Sequence, residues 1–138
     1  MTTPQSDRDA LVAPLRGLLE EASARIFARD LTIVDLFWEG GQFWLFGSEA
    51  DEQDLTREAL RAHMAVLFAK PYRIRFAFGD MQVDGHADIA WANAHAVLEV
   101  HHPDRVAQAP YRLFAMFQRI GGTWRWRVFS GSEPAAPP

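Results

Sequence analysis

The sequence predicts an α+β domain in which the helices come first and an antiparallel sheet follows. Up to Pro71 the apolar residues recur at helical spacing, and beyond it they alternate with a period of two. Short turns join most of the later strands, and strands joined in this way run antiparallel. Helices that are segregated from an antiparallel sheet in this order are typical of the α+β class.

The composition is that of one ordinary domain. The chain has 138 residues, 49% of them hydrophobic, which is enough for one buried core. We therefore predict a single domain over residues 1–138, with residues 131–138 as a solvated tail. The net charge of -4 argues against a nucleic acid partner, because nucleic-acid-binding surfaces are usually basic. The absence of cysteine excludes disulfides, thiol catalysis and thiolate metal ligands.

No segment of the sequence suggests export or membrane insertion. The opening residues "MTTPQSDRDA" lack the basic and apolar regions of a signal peptide. No apolar run approaches the ~20 residues that a membrane-spanning helix needs. We expect a cytoplasmic protein with no membrane partner.

The first predicted helix covers the N-terminal apolar stripe. Ser6 and Asp9 resemble a capping box at its start, and the stripe continues to about residue 28. Pro14 interrupts the stripe, and a proline inside a helix costs about 3 kcal/mol. The helix is therefore expected either to kink at Pro14 or to begin there.

The segment that follows is predicted to hold a short helix, a short strand and a longer helix. Asp30 is the expected cap of the short helix, and the glycines of "EGG" end it before the strand "QFWLFGS". Asp54 is the expected cap of the longer helix over residues 55–69, which Pro71 ends. The acidic run "EADEQD" is interpreted as a solvated loop leading into that helix.

Four strands are predicted after Pro71. The first alternates apolar and basic residues over 72–78 and continues over 81–83 past a bulge at Gly79. The other three are expected over residues 87–100, 111–119 and 123–130. A loop "HHPDRVAQAP" separates the second from the third, and "GG" forms a tight turn before the last.

Three stretches resemble the NTF2-like superfamily, and within it the SnoaL-like and DUF4440-type domains. They are "LFWEGGQFWLFGSEADEQDLTREALRAHMAVLF", "DGHADIAWANAHAVLEV" and "YRLFAMFQRIGGTWRWRVFSGSEP". The last is the most specific, because it combines an Arg-bearing strand, a glycine turn, a Trp and a Ser-x-Pro exit. The resemblance covers nearly the whole chain and implies a cone-shaped, strongly curved antiparallel sheet packed on N-terminal helices, with a pocket between them. It also implies dimerisation through the outer face of the sheet.

The sequence differs from that family at positions where its enzymes carry catalytic residues. Many relatives carry His where Ser130 stands, and Phe27 and Ala28 lie near the position of a pocket Tyr but cannot move a proton. We favour a protein that binds a small hydrophobic molecule. The alternatives are a SnoaL or ketosteroid-isomerase type enzyme, which would transfer a proton or hydrate its substrate, and a ligand-free association module. A buried acid–base pair in the pocket would distinguish the enzyme from the binding protein and from the association module.

The long strand over residues 87–100 supplies the main candidate residues. Its alanines at positions 90, 92, 94 and 96 share one face, which would allow the close approach of a helix or another sheet. Trp91, Asn93 and His95 share the other face, and we predict that they line the cavity. His95 is the candidate for acid–base catalysis, since histidine titrates near neutral pH, although a structural role is the usual one for such a residue.

The other cavity candidates are residues that strand parity or helix spacing turns inward. The predicted ligand-binding set is Phe27, Trp44, His63, Trp91, Asn93, His95, Tyr111 and Trp126. The expected ligand is an apolar, ring-sized molecule whose polar end meets Asn93, His95 or Tyr111. We expect no cofactor and no metal, because the histidine spacings lack a ligand signature.

The last strand alternates aromatic and basic side chains. Parity assigns Trp124, Trp126 and Val128 to one face and Arg125, Arg127 and Phe129 to the other. We interpret the Trp face as core and the Arg face as a surface for solvent or a second subunit. Arginine beside aromatic residues is enriched at protein interfaces, so we expect a homodimer through the outer face of the sheet.

Overall fold

The computed structural model describes residues 4–137. The helical elements are α1 (Gln5–Phe27), a 3₁₀ helix (Leu31–Leu36) and α2 (Arg57–Phe68). The strands are β1 (Trp44–Phe46), β2 (Gln53–Asp54), β3 (Arg73–His86), β4 (Ile89–His101), β5 (Val106–Ile120) and β6 (Thr123–Ser132). The predicted α+β class, with the helices ahead of four long strands, is confirmed. Within the described residues, no helix has the length and apolar character needed to cross a bilayer.

All six strands belong to one curved sheet in the order β2-β1-β6-β5-β4-β3. The four long strands pair antiparallel with their neighbours in sequence, as predicted. The short strand β1 lies parallel to β6, and β2 pairs antiparallel with β1. The parallel pair was not predicted, because it joins segments that lie about eighty residues apart and have no sequence signature of pairing.

Helix α1 packs on the edge strand β3 and closes one side of the core. The buried hydroxyl of Ser23 accepts a hydrogen bond from the Phe76 N–H at 2.8 Å and donates one to the Phe76 carbonyl at 3.0 Å. These bonds satisfy backbone groups that an edge strand otherwise leaves unpaired. The helix continues through Pro14, so it does not begin there as one alternative expected.

The alanine face of β4 points into the core. Its members Ala90, Ala92, Ala94 and Ala96 are at most 9% exposed, whereas Asn93 and His95 are exposed. The prediction that Trp91, Asn93 and His95 face the cavity is therefore wrong. The physical reason lies in the neighbouring strand, where the buried rings of Tyr111 and Phe117 sit opposite the outermost alanines and fill the space that small side chains leave.

A β-bulge in β6 changes which residues face the core. Phe117 pairs with Trp126 and Met116 pairs with Val128, so Arg127 has no partner in the ladder. The extra residue shifts the alternation by one position. Trp126 is buried as predicted, but the assignment beyond it is wrong, because Phe129 is also buried.

Helix α2 begins later than predicted. Its cap is Thr56, whose hydroxyl accepts a hydrogen bond from the Ala59 N–H at 3.1 Å. Asp54, the predicted cap, lies in β2 and is only 7% exposed. The predicted cap of the 3₁₀ helix is confirmed, since the carboxylate of Asp30 accepts a hydrogen bond from the Thr32 N–H.

The last three strands extend beyond their predicted ends. Strand β4 reaches His101 and β5 begins at Val106, so only residues 102–105 separate them where a ten-residue loop was expected. Strand β6 continues to Ser132, and Gly131 is buried within it. Residues 133–137 have no regular secondary structure.

Candidate functional site

An apolar chamber of about 70 Å³ lies between the helices and the inner face of the sheet. Its walls include Ile26 from α1, Ile33 from the 3₁₀ helix, Met64 from α2 and Phe129 from β6. Every helical element of the described chain thus contributes to it, which is why its shape depends on the whole fold. The ionisable side chains at its border are those of Glu52, His63 and Tyr111.

A second cavity of about 370 Å³ adjoins the chamber and opens toward solvent. The residues that border both are Glu52, His63, Leu67, Ile74, Phe76 and Tyr111. Because the two share this boundary, we treat them as one site, and we call the outer part the vestibule. The ionisable groups of the chamber therefore stand at the junction between an apolar interior and a more polar entrance.

A buried carboxylate holds the imidazole of His63 at this junction. The Nδ1 atom of His63 lies 2.6 Å from Oδ2 of Asp54, whose side chain is 9% exposed. His63 comes from the buried side of α2, one residue before Met64, and Asp54 comes from β2. Strand β2 is held in place by pairing with β1, where Asp54 lies opposite Leu45.

The Asp54 contact selects the tautomer of the neutral imidazole. An ionised carboxylate can only accept hydrogen bonds, so the proton must be on Nδ1 of His63. The Nε2 atom is then left with a free lone pair, which can accept a proton. The same carboxylate lies in hydrogen-bond contact with the ring and would pair with a positive charge on it.

Glu52 is the second carboxylate near His63. Its Oε2 atom lies 3.9 Å from His63 Nε2, and its Oε1 atom accepts a hydrogen bond from the Glu49 N–H at 3.0 Å. Burial raises the pKa of Glu52 above its usual value, and the neighbouring charges of Glu49 and Asp51 add to this effect. No three His, Asp or Glu side chains in the described part of the chain are arranged to hold a metal ion.

Tyr111 supplies a phenol on the sheet side of the site. The residue is only 4% exposed, and its ring packs 5.0 Å from that of Phe76. Burial, followed by the charges of Glu52 and Glu133, raises the pKa of Tyr111 well above its usual value. The phenol therefore keeps its proton at neutral pH and is available as a hydrogen-bond donor.

Two of the eight predicted site residues, His63 and Tyr111, border the chamber and the vestibule. Trp126 lies in the core, with its ring centre 4.6 Å from that of Phe117. Phe27 lies at the end of α1 with its ring centre 4.9 Å from that of His101.

The other four predicted residues lie on the outer face of the sheet. Trp44 is 55% exposed there, and Asn93 and His95 are exposed on β4 together with the half-buried Trp91. His95 is therefore separated from the chamber by the sheet itself. The histidine that borders the chamber, and is therefore the candidate for acid–base catalysis, is His63.

Sequence reasoning missed Asp54 and Glu52, because both lie in the acidic run predicted to be a solvated loop. In the structure this run closes as a short strand pair, with the Gly47 N–H donating to the Glu52 carbonyl at 2.8 Å. A Cβ atom at Gly47 would lie 2.5 Å from Glu52 Oε2, so the glycine provides the space that this carboxylate occupies. Two acids spaced two residues apart fit one face of a strand, which is the signal the sequence contained.

A curved sheet closed by helices over an internal cavity, with ionisable groups at the entrance, defines a class of small α+β domains. The chain belongs to the SnoaL-like domain family, whose sequence model matches residues 16–136. The resemblance to the NTF2-like superfamily is thereby confirmed. No match was found among curated protein sequences.

Solved structures of NTF2-like proteins share this fold. One from Pseudomonas putida KT2440, of unknown function, is 20% identical, with a TM-score of 0.75 over 93% of this chain and 89% of that one. A proposed dehydratase from Streptomyces avermitilis is 16% identical, with a TM-score of 0.76 over 87% and 94%. A protein from Novosphingobium aromaticivorans, with a cystatin-like fold, is 17% identical, with a TM-score of 0.70 over 97% and 94%. At these identities the likeness establishes the fold alone.

Proposed function

We propose that this protein binds a small, largely apolar molecule in the chamber and vestibule and that His63, oriented by Asp54, transfers a proton on it. The observation that carries the proposal is the 2.6 Å contact between Asp54 and His63 at the border of an apolar pocket. A buried acid–base pair is the feature that favours an enzyme over a binding module. General acid–base catalysis needs such a pair within reach of the bound molecule.

The arrangement suits abstraction of a proton from a carbon next to a carbonyl group. His63 Nε2 takes the proton as the C–H bond breaks, and the electron pair moves to the carbonyl oxygen to give an enolate. The Tyr111 phenol, which keeps its proton, can donate a hydrogen bond to that oxygen. Return of the proton from His63 to another carbon gives isomerisation. If the enolate instead re-forms the carbonyl and breaks the bond to a β-hydroxyl group, that group takes the proton from His63 and leaves as water, which gives dehydration. The relative from Streptomyces avermitilis is itself a proposed dehydratase.

The dimensions of the site constrain the ligand. An engineered apolar cavity of about 150 Å³ binds benzene, whereas this chamber measures about 70 Å³. The chamber thus suits a short branched alkyl group, and an aromatic ring fits the vestibule of about 370 Å³. Isovalerophenone has this layout, since its α-carbon and carbonyl group lie between an alkyl end and a ring.

The test is hydrogen exchange at the α-carbon of isovalerophenone in D₂O, followed by NMR. We expect the protein to accelerate exchange above the rate in buffer. His95→Gln should leave the acceleration unchanged, because His95 is exposed on the opposite face of the sheet. If exchange stays at the buffer rate, or if it is lost in His95→Gln, the proposed role of His63 is wrong.

We also propose that the protein is a homodimer through the outer face of the sheet. Large apolar side chains are exposed there, including Trp44 at 55%, Phe114 at 39% and Val97 at 38%. A stable interface of this kind buries upwards of ~1,000 Å². Light scattering should give twice the chain mass of 15.6 kDa. Phe114→Asp should dissociate the dimer, whereas Val12→Asp on α1 should not; a monomeric wild-type protein contradicts the proposal.

A further inference from the structure

The entrance of the vestibule carries an excess of negative charge. Carboxylates from Glu49, Asp51, Glu52 and Glu133 border it, against one ammonium group from Lys70. Among residues 4–137, no salt bridge neutralises Glu49, Asp51 or Glu133. The carboxylates therefore repel one another across the opening, and this repulsion adds to burial in raising the pKa of Glu52.

Tyr111 is a second and independent indication of a ligand. Its side chain is nine-tenths buried and borders both parts of the cavity, yet its hydroxyl has no hydrogen-bond partner in the described part of the chain. In the described residues the fully buried side-chain atoms without a partner are Arg29 Nε and Trp126 Nε1, so the Tyr111 oxygen is still accessible from the cavity. A ligand in the vestibule would supply the missing partner.

The aromatic walls of the vestibule suit a cation as well as a ring. The rings of Tyr72, Phe76 and Tyr111 border the same space as the carboxylates. A cation near the face of an aromatic ring is attracted by the quadrupole of that ring. A bound ammonium group would thus contact both kinds of group, whereas a bound carboxylate would be repelled by both.

We infer that the ligand is an apolar molecule bearing a protonated amine, with the amine among the carboxylates of the vestibule and the alkyl end in the chamber. The inference rests on the proposed ligand site and specifies the class of molecule that it accepts. An anionic molecule of the same shape binds more weakly, because the carboxylates repel it. A neutral molecule of the same shape binds with intermediate affinity.

Three matched probes test the inference by isothermal titration calorimetry at pH 7.5. They are 4-isobutylbenzylamine, which is cationic, 4-isobutylbenzyl alcohol, which is neutral, and 4-isobutylbenzoate, which is anionic. We expect the amine to bind at least about tenfold more tightly than the benzoate. The probe's charge and the vestibule carboxylates face each other in a solvent-exposed opening, where each charge pair contributes on the order of 1 kcal/mol, or about fivefold in affinity. The preference should shrink as salt is raised, because the Debye length falls from about 10 Å at 0.1 M to about 3 Å at 1 M.

Two variants, each with three substitutions, test whether the vestibule carboxylates cause the preference for the amine over the benzoate. Glu49→Gln, Asp51→Asn and Glu133→Gln together should bring the affinities of the amine and the benzoate within about twofold of each other. Asp7→Asn, Asp9→Asn and Glu20→Gln remove the same number of exposed carboxylates on α1, none of which borders the chamber or the vestibule, and should leave the preference intact. Equal losses in both variants would mean that net charge alone sets the preference, and the inference would be overturned.

The neutral alcohol separates this inference from the proposed function. If the alcohol binds but the amine and the benzoate bind equally well, the ligand site stands and the charge preference is wrong. If none of the three probes binds, both are wrong. If the amine is preferred but α-hydrogen exchange is absent, the charge preference stands and the catalytic proposal fails.

Discussion

Asp54→Asn should lower the rate of α-hydrogen exchange about 100- to 10,000-fold, because it disables His63 as the base and a positioned general acid–base group contributes that range. The substitution changes the partner of His63 Nδ1, which lies 2.6 Å from Asp54 Oδ2, and leaves the shape of the side chain almost unchanged. Binding of 4-isobutylbenzyl alcohol should persist, because Asp54 does not border the chamber or the vestibule.

The loss follows from the proton positions on His63. If the amide introduced at position 54 presents its N–H to Nδ1, the imidazole must carry its proton on Nε2, and the lone pair that faces the ligand is lost. If that amide presents its oxygen instead, the tautomer is kept, but the negative charge that stabilises the imidazolium is gone. Both outcomes weaken His63 as a base.

His63→Gln should produce a loss of the same size, and combining it with Asp54→Asn should add little. Residues that act as one unit are strongly non-additive in their effects on rate. The matched control is His95→Gln, which removes an imidazole from the outer face. Exchange at the wild-type rate in Asp54→Asn, with the protein folded by circular dichroism, would place the proton transfer elsewhere.

The order and type of the main elements could be predicted because they depend on local signals. Helical spacing before Pro71 and alternation after it are properties of neighbouring residues, and the structure has the helices and the four long strands that these patterns predict. The 3₁₀ helix with its Asp30 cap is another local feature, and it is confirmed. The resemblance to SnoaL-like domains rests on the same order of elements and is confirmed by the family match.

The direction in which each strand face points could not be predicted from parity. On β4 the large residues Trp91 and His95 suggested a cavity wall, but the alanines face inward because the opposite rings fill the core. On β6 the bulge at Arg127 shifted the alternation after Trp126. Both outcomes depend on contacts with neighbouring strands, which a period within one strand does not contain.

Of the pair His63 and Asp54, only His63 could be predicted from the sequence. His63 lies on the apolar stripe of a helix, so helical spacing places it toward the core. Its partner Asp54 lies in a two-residue strand that is held by pairing with β1. Because so short a strand has no periodicity, an acidic run before a helix is indistinguishable from a solvated cap until the tertiary structure is known.

Gly131→Ala should destabilise the protein by about 1–3 kcal/mol, the usual cost of extra volume in a packed interior. A Cβ atom at this position would overlap the hydroxyl and ring of Tyr111. Gly131 pairs with Leu113 in the β5–β6 ladder and therefore lies diagonally across from Tyr111, whose ring crosses over it. The effect is steric, since Gly131 is not among the glycines with a positive φ.

The same substitution should weaken binding of 4-isobutylbenzyl alcohol. Tyr111 borders both the chamber and the vestibule, so a ring displaced by the new methyl group must move toward the ligand. Gly79→Ala is the matched control, because Gly79 also lies in a strand and its added Cβ would meet only the His95 carbonyl at an ordinary 3.7 Å. It should leave affinity unchanged and stability unchanged or slightly raised.

A double-mutant cycle with Tyr111→Leu tests whether Gly131→Ala destabilises the protein through the steric overlap with Tyr111. Tyr111→Leu alone should destabilise the protein, because it leaves space in the core. The double variant should lose less free energy of unfolding than the two single variants together, because the shorter side chain leaves room for the methyl group. We expect the difference to be about 0.5–3 kcal/mol by urea unfolding. Additive losses would mean that Gly131 is required for a reason other than the approach of Tyr111.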